Sequence, residues 1–166
     1  MGFPIEVQIR KASIYIVDPY YLETLGIEIK EGRNFYLDLA SDVKGSVIVN
    51  QAFVDEMKWE RPIGRYVNWN FQEGLGSQII GVVNDYHYLS LERRIEPMLL
   101  TIDNEFGTLQ YMYVKISANG IEGTIRKPGT IFKGLAPDMP FEYSFLAEKI
   151  QAQYHAHRRP PHTAGP

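Results

Sequence analysis

The sequence predicts an α+β protein built on a mixed β-sheet with helices packed mainly on one face. Strand-like and helix-like stretches interleave without an internal repeat, and several connections are too short to hold a crossover helix, which disfavours a doubly wound parallel sheet. The most apolar stretch, Gln78 to Val83, is a nearly continuous β-branched run (Ile79, Ile80, Val82, Val83), the pattern of a strand covered on both faces. Gly81 inside that run leaves no side chain to pack, so it predicts a bulge or the close approach of another backbone. A polar segment from Leu89 to Arg94 and then Pro97 lead to a second apolar run, Met98 to Ile102.

The other elements follow from local pattern. Ile5 to Arg10 and Ser13 to Val17 alternate as strands do. Asp18-Pro19 reads as a helix start, Tyr20 to Leu25 as about two turns, and Gly26 as their left-handed cap. Ile27 to Glu31 resumes the alternation, and the acidic, polar stretch from Gly32 to Gly45 reads as an exposed loop. Val47 to Val49 is a buried strand. Asn50 caps a helix whose Phe53, Val54 and Met57 share one face, and Trp59 ends it. Arg61-Pro62-Ile63-Gly64 is turn chemistry. Arg65 to Phe71 reads as an edge-like strand rich in aromatic residues, and Tyr111 to Ile116 and Phe141 to Phe145 as further strands. Ile121 to Leu135 has amphipathic helical spacing, but Pro128-Gly129 would cost about 3 and 1 kcal/mol relative to alanine, so a kink or break is expected at Lys127. Leu146 to Gln153 begins a last helix. One domain over residues 1–154 is expected, with 155–166 a disordered or non-native tail.

Composition narrows the function. The 166 residues are 45% hydrophobic and 22% charged, ordinary for a folded chain. A net charge of -3 offers no general attraction to nucleic acid or anionic lipid. With no cysteine there is no disulfide, thiolate metal site or cysteine nucleophile. No apolar run approaches the ~20 residues of a spanning helix.

Candidate chemistry is sparse. Asp85-Tyr86-His87 follows a buried strand, where α/β proteins often place catalytic groups. No second motif element accompanies it, and packing at the sheet edge accounts for these residues more simply. His155, His157 and His162 have no further ligand at a defined spacing. Gly32-Arg33 and Gly74-Leu75-Gly76 lack the context of phosphate loops, and Ser144 has no glycine elbow. No catalytic, metal or cofactor site is expected. Core and sheet packing explains most of the 13% aromatic content, yet Tyr66, Trp69 and Phe71 on the edge-like strand form a candidate partner surface.

Five stretches carry a resemblance: VDPYYLETLGIEIKEGRNF (Val17 to Phe35), SVIVNQAFVDEM (Ser46 to Met57), RPIGRYV (Arg61 to Val67), IIGVVNDYHYLSLERRIEPMLL (Ile79 to Leu100) and LAPDMPFEYSFLAEKIQAQY (Leu135 to Tyr154). In this order they resemble the extracytoplasmic core domain of MacB-like, FtsX-type ABC transporter permeases. The resemblance implies a non-catalytic domain inserted between two membrane helices absent from this chain, outside the bacterial cytoplasmic membrane. It implies as partners the rest of the permease, its cytoplasmic ATPase, a second copy in a permease dimer, and a periplasmic protein, lipoprotein or amphiphile. Insertion of this kind requires the ends of the folded domain, near Ile5 and Tyr154, to lie close together and point the same way. Family members carry an uninterrupted helix where this chain has Arg126-Lys127-Pro128-Gly129, and continue past Tyr154 differently. The alternative is a stand-alone small-ligand-binding protein or hydrolase using Asp85 and His87.

Overall fold

The computed structural model describes residues 7–8, 12–69, 76–86, 94–106, 111–117 and 121–149. Its contacts divide the chain into two compact units, Met1–Tyr86 with Ile95–Val114, and His87–Arg94 with Lys115–Pro166.

The first unit holds a seven-stranded mixed sheet. In chain order its strands are β1 (Val7–Gln8), β2 (Ser13–Ile16), β3 (Ile29–Gly32), β4 (Ser46–Asn50), β5 (Tyr66–Asn68), β6 (Ser77–Val83) and β7 (Met98–Thr101). The spatial order is β1-β5-β6-β4-β7-β2, with β3 also pairing with β6. Strand β6 is the hub. It runs parallel to β4, antiparallel to β5 at its first residues and antiparallel to β3 at its last. Every residue of β4 and all of β6 except Gln78 are buried, as the β-branched runs predict.

Gly81 is where that hub is made. Val47 pairs with Ile79 but Ile48 pairs with Gly81, so Ile80 is the extra residue of a bulge. The bulge resets the alternation, and Ile79 and Val82, three positions apart, both join the core with Val47, Val49 and Leu99. A Cβ on Gly81 would stand 2.5 Å from the carbonyl oxygen of Arg33. Both expectations for this glycine, bulge and close backbone approach, are met. Opposite it, Gly32 has φ 81°, a left-handed value that turns the chain out of β3.

The helices of this unit are α1 (Tyr21–Leu25), α2 (Ala40–Gly45) and α3 (Gln51–Glu56), with a 3₁₀ turn at Asn104–Phe106. Asp18 accepts the Tyr20 N–H at 2.7 Å, one turn before α1, and Gly26 caps that helix with φ 69°. Asn50, fully buried, does more than cap α3. Its Oδ1 accepts the N–H groups of Phe53 (3.1 Å) and Met98 (2.8 Å), while its Nδ2 donates to the Glu96 carbonyl (3.0 Å). One buried amide thus joins the end of β4, the start of α3 and the start of β7, and satisfies backbone groups that water cannot reach.

Other expectations change. The stretch from Gly32 to Gly45 is not simply an exposed loop, since it contains α2 and buries Phe35 and Asp42. β5 is not an edge strand, because β1 pairs with it on its outer side. Tyr111 to Ile116 and Phe141 to Phe145 join no ladder among the described residues. The Leu89 to Arg94 segment lies outside the described residues except for Arg94, as do Ile5, Tyr154 and the tail 155–166.

In the second unit α4 (Ile121–Leu135) is one helix through Pro128, so the chain does not break there, where a kink or break was expected at Lys127. Gly129 explains part of this: a Cβ there would stand 3.3 Å from the Phe141 ring, so its absence lets that ring rest against the helix. Phe132 packs on the same ring with centroids 5.6 Å apart, so helix residues beyond the proline are held from outside. Residues 146–149 are helical.

Gly81→Ala is expected to lower stability by at least about 2 kcal/mol, because the clash is with backbone that cannot rotate away; a urea-unfolding midpoint unchanged from the parent would refute the contact. Pro128→Ala is expected to add helicity and up to about 3 kcal/mol of stability to α4. Far-UV circular dichroism with thermal unfolding measures both, and a destabilised variant would mean that the proline is required there.

Candidate interaction surface

The carboxylate of Asp42 organises the segment that leaves β3. Arg33 follows Gly32, and its backbone N–H donates to the Ile80 carbonyl at 2.9 Å, which fixes where its side chain begins. The guanidinium then meets Asp42 as a fork, Nη1 to Oδ2 at 2.6 Å and Nη2 to Oδ1 at 2.9 Å. Asp42 Oδ2 also accepts the Tyr36 N–H (2.9 Å), and Oδ1 accepts the Ser46 hydroxyl (3.1 Å). The Asp42 side chain is fully buried, while Arg33 keeps 38% of its side chain in solvent.

Electrostatics follow from that geometry. The Arg33 hydrogen bonds, with smaller help from the Tyr36 N–H and Ser46, hold the Asp42 carboxyl below its ordinary range against the opposing effect of burial. Reciprocally, the same pair raises Arg33.

The bracket presents a short apolar tip. Phe35 is buried and anchors the segment from within. Asn34 ties it to the chain before α1, donating to the Pro19 carbonyl at 2.9 Å. The Arg33 guanidinium lies 5.2 Å from the centroid of the Tyr36 ring, within cation–π range. Tyr36, Leu37 and Leu39 stand 56%, 57% and 42% exposed. Such a run on a braced scaffold fits a docking site.

The residues singled out from sequence fall elsewhere. Trp69 is 7% exposed, belongs to the core with Phe53, Val54 and Val67, and donates its Nε1–H to the Ser77 hydroxyl at 2.9 Å. It is therefore a core residue and not a partner surface, covered by the core it forms with Phe53 and Val54 of α3. Tyr66 is half-buried, and Phe71 lies outside the described residues. Asp85 Oδ1 accepts the Ala52 N–H at 2.9 Å, a cap on the first turn of α3. His87 lies outside the described residues. Tyr86 donates to the Met98 sulfur at 3.3 Å and stands 3.4 Å from the Tyr21 hydroxyl. Among the described residues no group of His, Asp and Glu is arranged to hold a metal ion. Sequence reasoning missed Asp42 and Tyr36 to Leu39. The available signal was Arg33 nine positions before an aspartate inside a helix-compatible stretch, which is too common a pattern to single out.

No protein-family model matches the chain, and no curated protein sequence matches it. Solved structures do. The periplasmic region of MacB from Actinobacillus actinomycetemcomitans superposes with a TM-score of 0.52 at 21% identity, over 75% of this chain and 56% of that one. The chain therefore spans little more than half of that region's length. A domain assigned to a permease protein from Porphyromonas gingivalis superposes with a TM-score of 0.51 at 14% identity, over 84% of this chain and 71% of that one.

The chain has the fold of a MacB-like periplasmic domain. At these identities the likeness is one of architecture, and it accords with the mixed α+β sheet read from the sequence. Among the described residues no helix is long and apolar enough to cross a membrane.

Breaking the bracket from either side is expected to have unequal cost. Arg33→Ala leaves a buried carboxylate unpaired and should cost about 3–5 kcal/mol, whereas Asp42→Asn leaves a guanidinium that solvent can reach and should cost about 1.5–3 kcal/mol. Because the Asp42 carboxyl is lowered in the folded state, its contribution is complete above the unfolded value of about 3.9 and is lost as pH falls through the lower folded value. Asp42→Asn should accordingly flatten the acid limb of the stability curve. Equal costs for the two variants at neutral pH would contradict the asymmetry.

Proposed function

We propose that this chain is a non-catalytic extracytoplasmic domain of an ABC transporter permease, placed on the periplasmic side of the bacterial cytoplasmic membrane. It couples permease motion to a periplasmic partner or substrate, in export, lipoprotein release or mechanotransmission. The observation that carries this reading is the fold shared with the periplasmic region of MacB and the permease domain from P. gingivalis. In this reading residues 1–154 form the working domain, joined to membrane helices outside this chain. The rest of the permease and a cytoplasmic ATPase supply the motion, and two copies meet in the full-length transporter.

Site chemistry supports a coupling role over a catalytic one. A domain that transmits force needs a stiff scaffold and an apolar contact, and the sheet with its braced Tyr36 to Leu39 tip offers both. The hydrolase reading needs Asp85 as an orienting acid for His87, and Asp85 is engaged as a helix cap.

The test uses the whole permease with its ATPase, reconstituted in lipid vesicles. Leu37→Asp is expected to cut substrate-stimulated ATP hydrolysis roughly tenfold, as for an interface hot spot, with basal hydrolysis and domain stability unchanged. Unchanged stimulation would remove the tip from the mechanism. Hydrolysis of small esters by the isolated chain, abolished by Asp85→Ala, would instead favour the enzyme.

A further inference from the structure

Among the described residues no strand pairs with the outer edge of β2, and this chain carries a segment whose pattern fits it. β2 ends the strand order, paired in parallel with β7 through Ser13↔Met98, Ile14↔Leu99, Tyr15↔Leu100 and Ile16↔Thr101. Ser13 and Val17 donate their N–H groups to Pro97 and Thr101, both at 2.9 Å, toward β7. In a parallel ladder alternate residues face opposite sides, so Ile14 and Ile16 turn their N–H and C=O groups to the outer edge. Ile14 is also 43% exposed. A regular edge with apolar side chains is the kind that proteins cover or charge, and β2 carries no charged residue.

Tyr111 to Val114 is the counterpart. Its side chains alternate aromatic and aliphatic, yet among the described residues it joins no strand, and Tyr111, Met112, Tyr113 and Val114 are 74%, 82%, 47% and 51% exposed. It belongs to the same unit as β2. The Tyr113 ring already meets Tyr21 of α1, the helix that follows β2, edge-on with centroids 5.9 Å apart.

We propose that Tyr111–Val114 closes the sheet as an added strand, antiparallel to β2, with Val114 opposite Ile14, Tyr113 opposite Tyr15 and Met112 opposite Ile16. Three features select this register. Ile14 and Ile16, whose backbone groups face outward, become the hydrogen-bonded pairs with Val114 and Met112. Their side chains share one face, placing three exposed aliphatic groups and the half-buried Ile16 in two cross-strand contacts. Tyr113 and Tyr15 fall on the opposite face. A slip by one residue would set aromatic against aliphatic positions throughout and turn each face over. The direction also suits the chain: leaving β7 at Thr101, it must pass β2 and return, about two strand spacings of ~4.8 Å, a span well within reach of the intervening residues at about 3.3 Å each.

The chain has no cysteine, so paired cysteines report the contact without background. In the full chain, Ile14→Cys with Val114→Cys is expected to oxidise within one molecule at least about tenfold faster than Ile14→Cys with Tyr113→Cys, the slipped pair, because adjacent residues of a strand point to opposite faces and Cβ vectors that point apart cannot be bridged. Independently, the Ile14 and Ile16 amides are expected to exchange with solvent about a hundredfold slower than in Val114→Pro, which removes one donor from the ladder. Cross-linking found only between molecules would assign the edge to a second copy and overturn the proposal. Equal rates for the two pairs, or amides that exchange as fast as in the proline variant, would overturn it too.

Discussion

The contact between Gly81 and the Arg33 carbonyl oxygen is the constraint on which most of this molecule depends. At that point two backbones approach more closely than any side chain allows, and the same residues do two jobs. On one side, the bulge at Ile80 lets Ile79 and Val82 both face the core, which completes the apolar layer under α3. On the other, the Arg33 backbone is pinned to β6. Its guanidinium therefore starts from a fixed position and can meet a buried carboxylate without a large further loss of side-chain freedom.

From there the structure passes outward by short, directional interactions. Asp42 gathers a guanidinium, a backbone N–H and a hydroxyl, so its burial is compensated and the chain between β3 and β4 is drawn tight. The apolar tip is exposed because its neighbours are held, with Phe35 below and the Arg33 plane beside Tyr36. Asn50 plays the corresponding part at the far end of β4, where one side chain joins three elements. Under the proposed coupling role, such a sheet with a small braced contact would pass on displacement because packed elements move as bodies and do not deform continuously.

The edge of the sheet has the opposite character. β2 shows side chains and backbone groups that a folded protein ordinarily covers, and the exposed run from Tyr111 carries the matching periodicity. Closing that edge would bury apolar area in the same unit, with Tyr113 resting on Tyr21 as a ready point of contact. Nothing in that closure involves the Arg33–Asp42 bracket, so edge and tip are separable features of one scaffold.

The sequence by itself determined much of the local structure. The β-branched runs identify β4 and β6, Asn50 identifies the start of α3, Gly26 the end of α1, and Gly81 a bulge with close approach. These properties depend on neighbours within a few residues: period, cap chemistry and permitted backbone angles. Only the tertiary structure decided which surfaces are wet. Trp69 reads as an edge aromatic until it joins the core with Phe53 and Val54 of α3, and the stretch after Gly32 reads as loose until Arg33 finds Asp42. Pro128 reads as a break until Phe132 and Gly129 rest on Phe141. Asp85 reads as an acid beside a histidine until its carboxylate is found capping Ala52. In each case the deciding partner is distant in sequence or drawn from another element, and periodicity carries no information about which strand, ring or N–H will be there.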